Sequence, residues 1–192
     1  MKIYRKIYAL YQTSFFKWCC AIFLFLVGCL AVFSFVKTPF TGDVKVFMAA
    51  ANQVKYQDAN WFMSILESWE LKGIGNRFLM YIIYLFADCV VGFDNKILFQ
   101  YVCKLIYAIF LVTVQLLSVF LIRLTKKEKI ALFSVQFFAF FTTGTLVHMQ
   151  AEMTCVAICI LSIACILHNK KWSFIAAGFL GSTLFFFKSI FI

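Results

Sequence analysis

Four ionisable groups stand where chemistry can be done. Asp43, in "KTPFTGDVKVFMAAANQ" (37–53), comes shortly after an uncharged run of 19 residues. A carboxylate beside lipid headgroups is partly desolvated, which raises its pKa toward a working pH and suits it to general-base chemistry. It can equally hold a divalent cation. The plain alternative is an N-cap: "TGD" precedes a helical-looking "VKVFMAAANQV", and Asp accepts backbone N–H bonds at a helix start. His148 and Glu152 lie four apart, a spacing that places both on one helical face to bind a metal or relay a proton, or merely to solvate a helix end. Lys188 follows the apolar "STLFFF". An ionisable group at that depth marks a pathway or a ligand, unless it snorkels to the interface.

The elements around these residues are apolar. Of 192 residues, 64% are hydrophobic and 26 are Phe, against a single Pro. Soluble domains run at roughly 45–50% apolar, so lipid must solvate much of this chain. The fold expected is all-α, a polytopic transmembrane helical bundle. The first apolar run is too long, and lacks a small-residue cleavage site, for a signal peptide. The net charge of +10 clusters in short segments that flank apolar runs, which is the signature of membrane topology and not of nucleic-acid binding. No phosphate-binding glycine loop or dinucleotide fingerprint occurs. The eight cysteines form no CxxC pair and the chain has two histidines, so buried small hydrophobes fit better than a zinc site.

Charge sets the expected order of spans. Lys2, Arg5, Lys6 and Lys17 precede the first run with no acid among them, which places residues 1–17 in the cytoplasm. Transmembrane helices are expected at 18–36, 97–122, 130–147, 153–167 and 172–192. Residues 123–129 and 168–171 form cytoplasmic loops, 148–152 an outer turn, and 37–96 a long outer loop. The stretch 78–93 is the difficult one. If it does not cross, the basic loops "RLTKKEK" and "HNKK" both fall inside, while 37–96 is neutral, with six basic and six acidic side chains. Arg77, Tyr81, Tyr84 and Asp88 recur at helical spacing as one polar stripe, as expected of a helix lying in the interface with its apolar side down. "NWFMSILESWELKG" reads likewise, stopped by Gly73. On this topology Glu128 is the lone cytoplasmic acid; the other seven face outward.

This order of parts resembles the N-terminal half of the GT-C glycosyltransferases, multi-span enzymes that use polyprenyl-phosphate-linked sugars. "TGDVKVFMAAANQ" is similar to the acidic motif of their first outer loop. "WELKGIGNRFLMYIIYLFADCVVGFDNKILFQYVCKLIYAIFLVTVQLL" resembles the membrane-lying helix, its glycine break and the second span. "HMQAEMTCVAICILSIACIL" and "KKWSFIAAGFLGSTLFFFKSIFI" resemble the second outer loop with the fourth span, and a small-residue span leading to a lysine. Two departures stand out: Val44 follows Asp43 where many relatives carry a second acid, and "GIGNR" replaces a proline pair.

The resemblance implies a GT-C-like bundle with amphipathic juxtamembrane helices in its first outer loop, covering about half of a full enzyme. It implies transfer of a sugar from a polyprenyl-phosphate donor to a glycan, lipid or protein acceptor at the outer leaflet of a bacterial cytoplasmic membrane. Asp43 inherits the catalytic role, with or without a divalent cation. Lys188, Arg77 and Lys45 are candidates to offset the leaving phosphate, and His148, Gln150 and Glu152 to line the site. The rival is a multi-span protein without enzymatic activity, such as a transporter or flippase component or an assembly subunit. Spans almost free of charge, with polar groups gathered at one surface, favour interfacial chemistry over passage.

Overall fold

Away from water, a long run of Leu, Phe, Ile and Val can satisfy its backbone N–H and C=O groups only by coiling on itself. The computed structural model describes residues 14–38, 74–92, 94–142, 149 and 151–187, and every element among them is an α-helix: α1 (Ser14–Lys37), α2 (Ile74–Val91), α3 (Lys96–Leu121), α4 (Lys126–Thr142), α5 (Ala151–His168) and α6 (Lys171–Phe187). Two of them, over Phe15–Lys37 and Lys96–Leu121, are long and apolar enough to cross a membrane. At 1.5 Å per residue, each spans more than about 34 Å. Shorter apolar stretches run through α2 (Phe78–Val91) and α5 (Glu152–His168).

The helix ends are written locally. α1 stops just before Pro39, with the Thr38 amide donating to the Ser34 and Phe35 carbonyls and its hydroxyl donating to Phe35. α2 ends at Gly92, whose φ of 73° lies in the left-handed region that a side chain resists. The Asn95 side chain caps α3 by accepting from the Leu98 amide at 3.2 Å. α4 opens with a reciprocal capping box: the Thr125 amide donates to Glu128 Oε2 at 2.8 Å, and the Glu128 amide to Thr125 Oγ1 at 3.4 Å. α5 ends on Asn169 at φ 56°, a conformation Asn tolerates well.

α1 and α4 run parallel. Phe25 packs on Phe133 and Phe137, and Gly28 lets the Phe137 ring approach its backbone. α3 runs parallel to α5: the Tyr107 hydroxyl meets Thr154 Oγ1 towards their starts (3.1 Å), and His168 meets the Leu121 carbonyl at their ends (2.8 Å). A carbonyl can only accept, so His168 Nδ1 carries the proton. α5 and α6 form a hairpin joined by a bond from the Ser162 hydroxyl to the Ala177 carbonyl. The core lies between α2, α3, α4 and the start of α5, around Met80, Tyr84, Cys103, Tyr107, Leu111 and Phe140.

The outward surface is as apolar as the core. Leu30, Phe120 and Ile175 are 69%, 71% and 76% exposed, and they have many neighbours of the same kind. A continuous surface of that character is what lipid solvates. Two expectations from sequence change here. Two members of the α2 polar stripe turn inward: Tyr84 and Asp88 are buried, with Tyr84 edge-on to Phe99, while Phe78, Phe86 and Val90 face out. Where the surroundings are apolar, polar groups are better matched to one another inside. The cysteines are not all buried small hydrophobes either. All eight are free, and Cys103 and Cys165 are buried, but Cys19, Cys20, Cys29 and Cys89 belong to the outer surface.

Candidate functional site

Among the described residues the two ends of the bundle differ in charge, one strongly basic and the other mixed. Lys17 and Trp18 of α1 share a cavity with Thr125, Lys127 and Glu128, and the end of α5 is tied to the end of α3. Chain continuity then brings Lys17, Arg123, Lys126, Lys127, Lys129, Lys170 and Lys171 together at one end, with Glu128 the one acid among them. That carboxyl is held below its usual range by hydrogen bonds from the Thr125 amide and hydroxyl. The other end is mixed: Asp88 and Asp94 lie where α2 hands over to α3, and Glu152 in the first turn of α5, with Lys37 at the end of α1 and Lys96 at the start of α3.

At that second end sits Lys104, two turns into α3 and wholly buried. Its Nζ donates to the carbonyls of Phe35 (3.0 Å) and Thr38 (2.6 Å) and to Thr38 Oγ1 (2.6 Å). Three bonds are as many as an ammonium can donate. The two carbonyls lie at the C-terminal end of α1, outside its regular i→i+4 ladder and at the negative end of the helix dipole, so a cation there is well matched. The Phe35 ring adds a face 4.8 Å from Nζ. One turn further along α3, Tyr107 packs against Phe35 and bonds to Thr154. Lys104 and Tyr107 therefore lock the exit of α1 and the entry of α5 onto one helix. The chain leaving that lock at Thr38 reaches Asp43 five positions later.

Of the residues singled out from sequence, Asp43, Lys45, His148, Gln150 and Lys188 lie outside the described residues, as does the 60–73 segment. Arg77 falls in the first turn of α2. Glu152 is half-buried, two positions before the Thr154 that meets Tyr107, and its place in the first turn of α5 favours a negative charge. Among the described residues no three His, Cys, Asp or Glu side chains come together as a cation would require.

Sequence reasoning passed over three polar residues. The first is Lys104, whose depth within a 26-residue apolar helix is the available signal. Asn76, in the first turn of α2, is 2% exposed, and its Oδ1 has no hydrogen-bond partner among the described residues. Gln115, about three-quarters of the way along α3, is 1% exposed, with neither side-chain amide atom bonded among them. No known protein family matches the chain, and no curated protein or solved structure is significantly similar to it.

Proposed function

We propose that the chain is a multi-pass integral membrane protein with its basic end inside, and that its opposite end serves sugar transfer of the GT-C kind. The observation that carries this reading is the lock at Lys104. It fixes the point from which the segment holding Asp43 departs, at the end of the bundle that also bears Asp94 and Glu152. A site for a lipid-borne substrate has to be anchored in this way at the interface, since the reacting groups must be held to within a fraction of an ångström.

In this reading the Asp43 carboxylate takes the proton from an acceptor hydroxyl as its oxygen bonds to the anomeric carbon of the sugar. The bond from that carbon to the phosphate oxygen breaks, and polyprenyl phosphate leaves with its electron pair. Lys188, Arg77 or Lys45 offsets the charge of the departing phosphate. Lys104, which holds the end of α1 and Thr38, is a positioning residue. Asn76 supplies a buried acceptor of the sort a sugar hydroxyl would satisfy. The described residues offer no ligand set for a divalent cation, and no step is routed through one.

Asp43→Asn in the full protein tests the proposal. Transfer of labelled sugar from a polyprenyl-phosphate donor in membranes is expected to fall at least 100-fold at unchanged expression, the scale of general-base assistance. Normal transfer would remove the assignment. A wild-type protein with no transferase activity would leave the non-enzymatic reading, a transporter or flippase component or an assembly subunit.

A further inference from the structure

The basic end of the bundle carries a groove that the transferase reading does not use. Between α1 and α4 a cavity of about 330 Å³ opens beside Lys17, Thr125, Lys127 and Glu128. A second cavity of about 250 Å³ continues it along the bundle, lined by Ile22, Phe25, Phe133 and Ser134. The two share Trp18, Ala21 and Ile130, so they adjoin along one groove between α1 and α4, bordered by charged side chains in the first and by mostly apolar ones in the second. Short side chains at Ala21 and Ala131 leave the gap open.

Charge at the mouth narrows the occupant. Neither Lys17 nor Lys127 makes a hydrogen bond or ion pair with any described residue, and both are exposed. Glu128 stands beside them, but its Oε2 already accepts from the Thr125 amide and hydroxyl, each at 2.8 Å. Two ammoniums and one carboxylate sum to a single positive charge, which complements a monoanionic phosphodiester better than a dianionic phosphate monoester. The groove on the far side of α4 differs. Lys126 and Lys129 flank it, but Lys129 Nζ is bound to the Phe120 carbonyl at 3.1 Å and lies over the Phe120 ring.

We propose that the α1–α4 groove binds one anionic glycerophospholipid, its phosphodiester held by Lys17 and Lys127 and an acyl chain lying along Trp18, Phe25 and Phe133. Basic pockets between helices on the cytoplasmic side are suited to acidic lipid headgroups. The inference rests on the bundle sitting in a membrane with its basic end inside, and is independent of any sugar transfer.

The test titrates the detergent-purified full chain with dioleoylphosphatidylglycerol and, separately, with dioleoylphosphatidylcholine, counting bound lipids by native mass spectrometry. Each lysine near an acidic headgroup is worth about 5-fold in affinity, so wild type is expected to prefer phosphatidylglycerol by about 30-fold. Lys17→Gln with Lys127→Gln should bring the two lipids to near parity, while Lys126→Gln with Lys129→Gln should preserve the preference. The wild-type comparison stands even if a variant fails to fold. Equal binding of the two lipids to wild type would overturn the proposal, as would a preference that survives loss of Lys17 and Lys127. Displacement of phosphatidylglycerol by millimolar inorganic phosphate would show a headgroup site without a chain groove, and would also overturn it.

Discussion

Replacing Lys104 separates what its ammonium does from what its bulk does. In Lys104→Met a side chain of similar length fills the same space without the charge. The Phe35 carbonyl keeps the Thr38 hydroxyl at 2.7 Å and the Thr38 amide at 3.2 Å, so the acceptor most affected is the Thr38 carbonyl. One under-satisfied buried carbonyl costs about 1–3 kcal/mol. Interhelical hydrogen bonds in membranes average nearer about 0.6 kcal/mol. Against this, the variant no longer desolvates an ammonium, a penalty of several kcal/mol. The terms nearly cancel, and Lys104→Met is expected within about 2 kcal/mol of wild type. Lys104→Ala removes the stem as well and leaves a void at a wholly buried position, which typically costs about 2–5 kcal/mol.

The neighbouring thiol reports the difference. Cys103 is fully buried, so in a chain whose other seven cysteines are replaced by serine or alanine its reaction with a fluorogenic maleimide on heating follows unfolding of this end. The midpoint should fall clearly for Ala and little for Met. Equal losses in the two variants would mean that the charge itself holds the fold, and the reasoning here would be wrong. With the Met variant folded, sugar transfer should still drop, because the exit of α1 is no longer pinned.

Gly28 and the opening turn of α4 give two further tests. A Cβ at position 28 would sit 2.6 Å from Phe137 Cε1, and that ring is already wedged between Phe25, Phe133 and Phe141. Gly28→Ala should therefore destabilise by about 1–3 kcal/mol in a denaturant titration, and an unchanged midpoint would contradict the packing described. Glu128 is held below its usual 4.5, so its contribution to the start of α4 is present above that pH and lost as pH falls through its folded-state value. Amide protection at Lys127–Lys129, compared between wild type and Glu128→Gln, should differ at pH 6 and converge as the pH is lowered well below 4.5. A difference that persists unchanged into acid would show that the carboxylate is not the cap.

The sequence discloses the helices more readily than their facing. Long uncharged runs, the "TKKE" capping box and the stops at Gly92 and Asn169 mark out α1 to α5 because each signal acts within a few residues. The direction of the α2 stripe was misread for a physical reason. An amphipathic pattern says which face is polar, but not whether water or the protein interior lies on that side, and Tyr84 and Asp88 turned inward. Lys104 was visible as a charge in an apolar helix, yet its partners are backbone carbonyls 66 and 69 positions away, which no local pattern encodes. Gly28 likewise acquires its meaning only from Phe137, on a helix more than a hundred residues later. Of the candidate site, the acidic half rests on Asp43 and its loop, and the structure adds the lock from which that loop departs.

The central claim is that the two ends of this bundle lie on opposite sides of a membrane, with the basic end inside. Asn95 and Asn169 are both exposed and stand at opposite ends of α3, the first beside its start and the second beside Leu121. Single cysteines at these positions, Asn95→Cys and Asn169→Cys, in a chain otherwise stripped of cysteine, can be probed with a membrane-impermeant maleimide. Labelling of position 95 in intact cells, with position 169 reacting only after permeabilisation, is the expected result. Reaction of position 169 in intact cells, or of both positions from the same side, would contradict it.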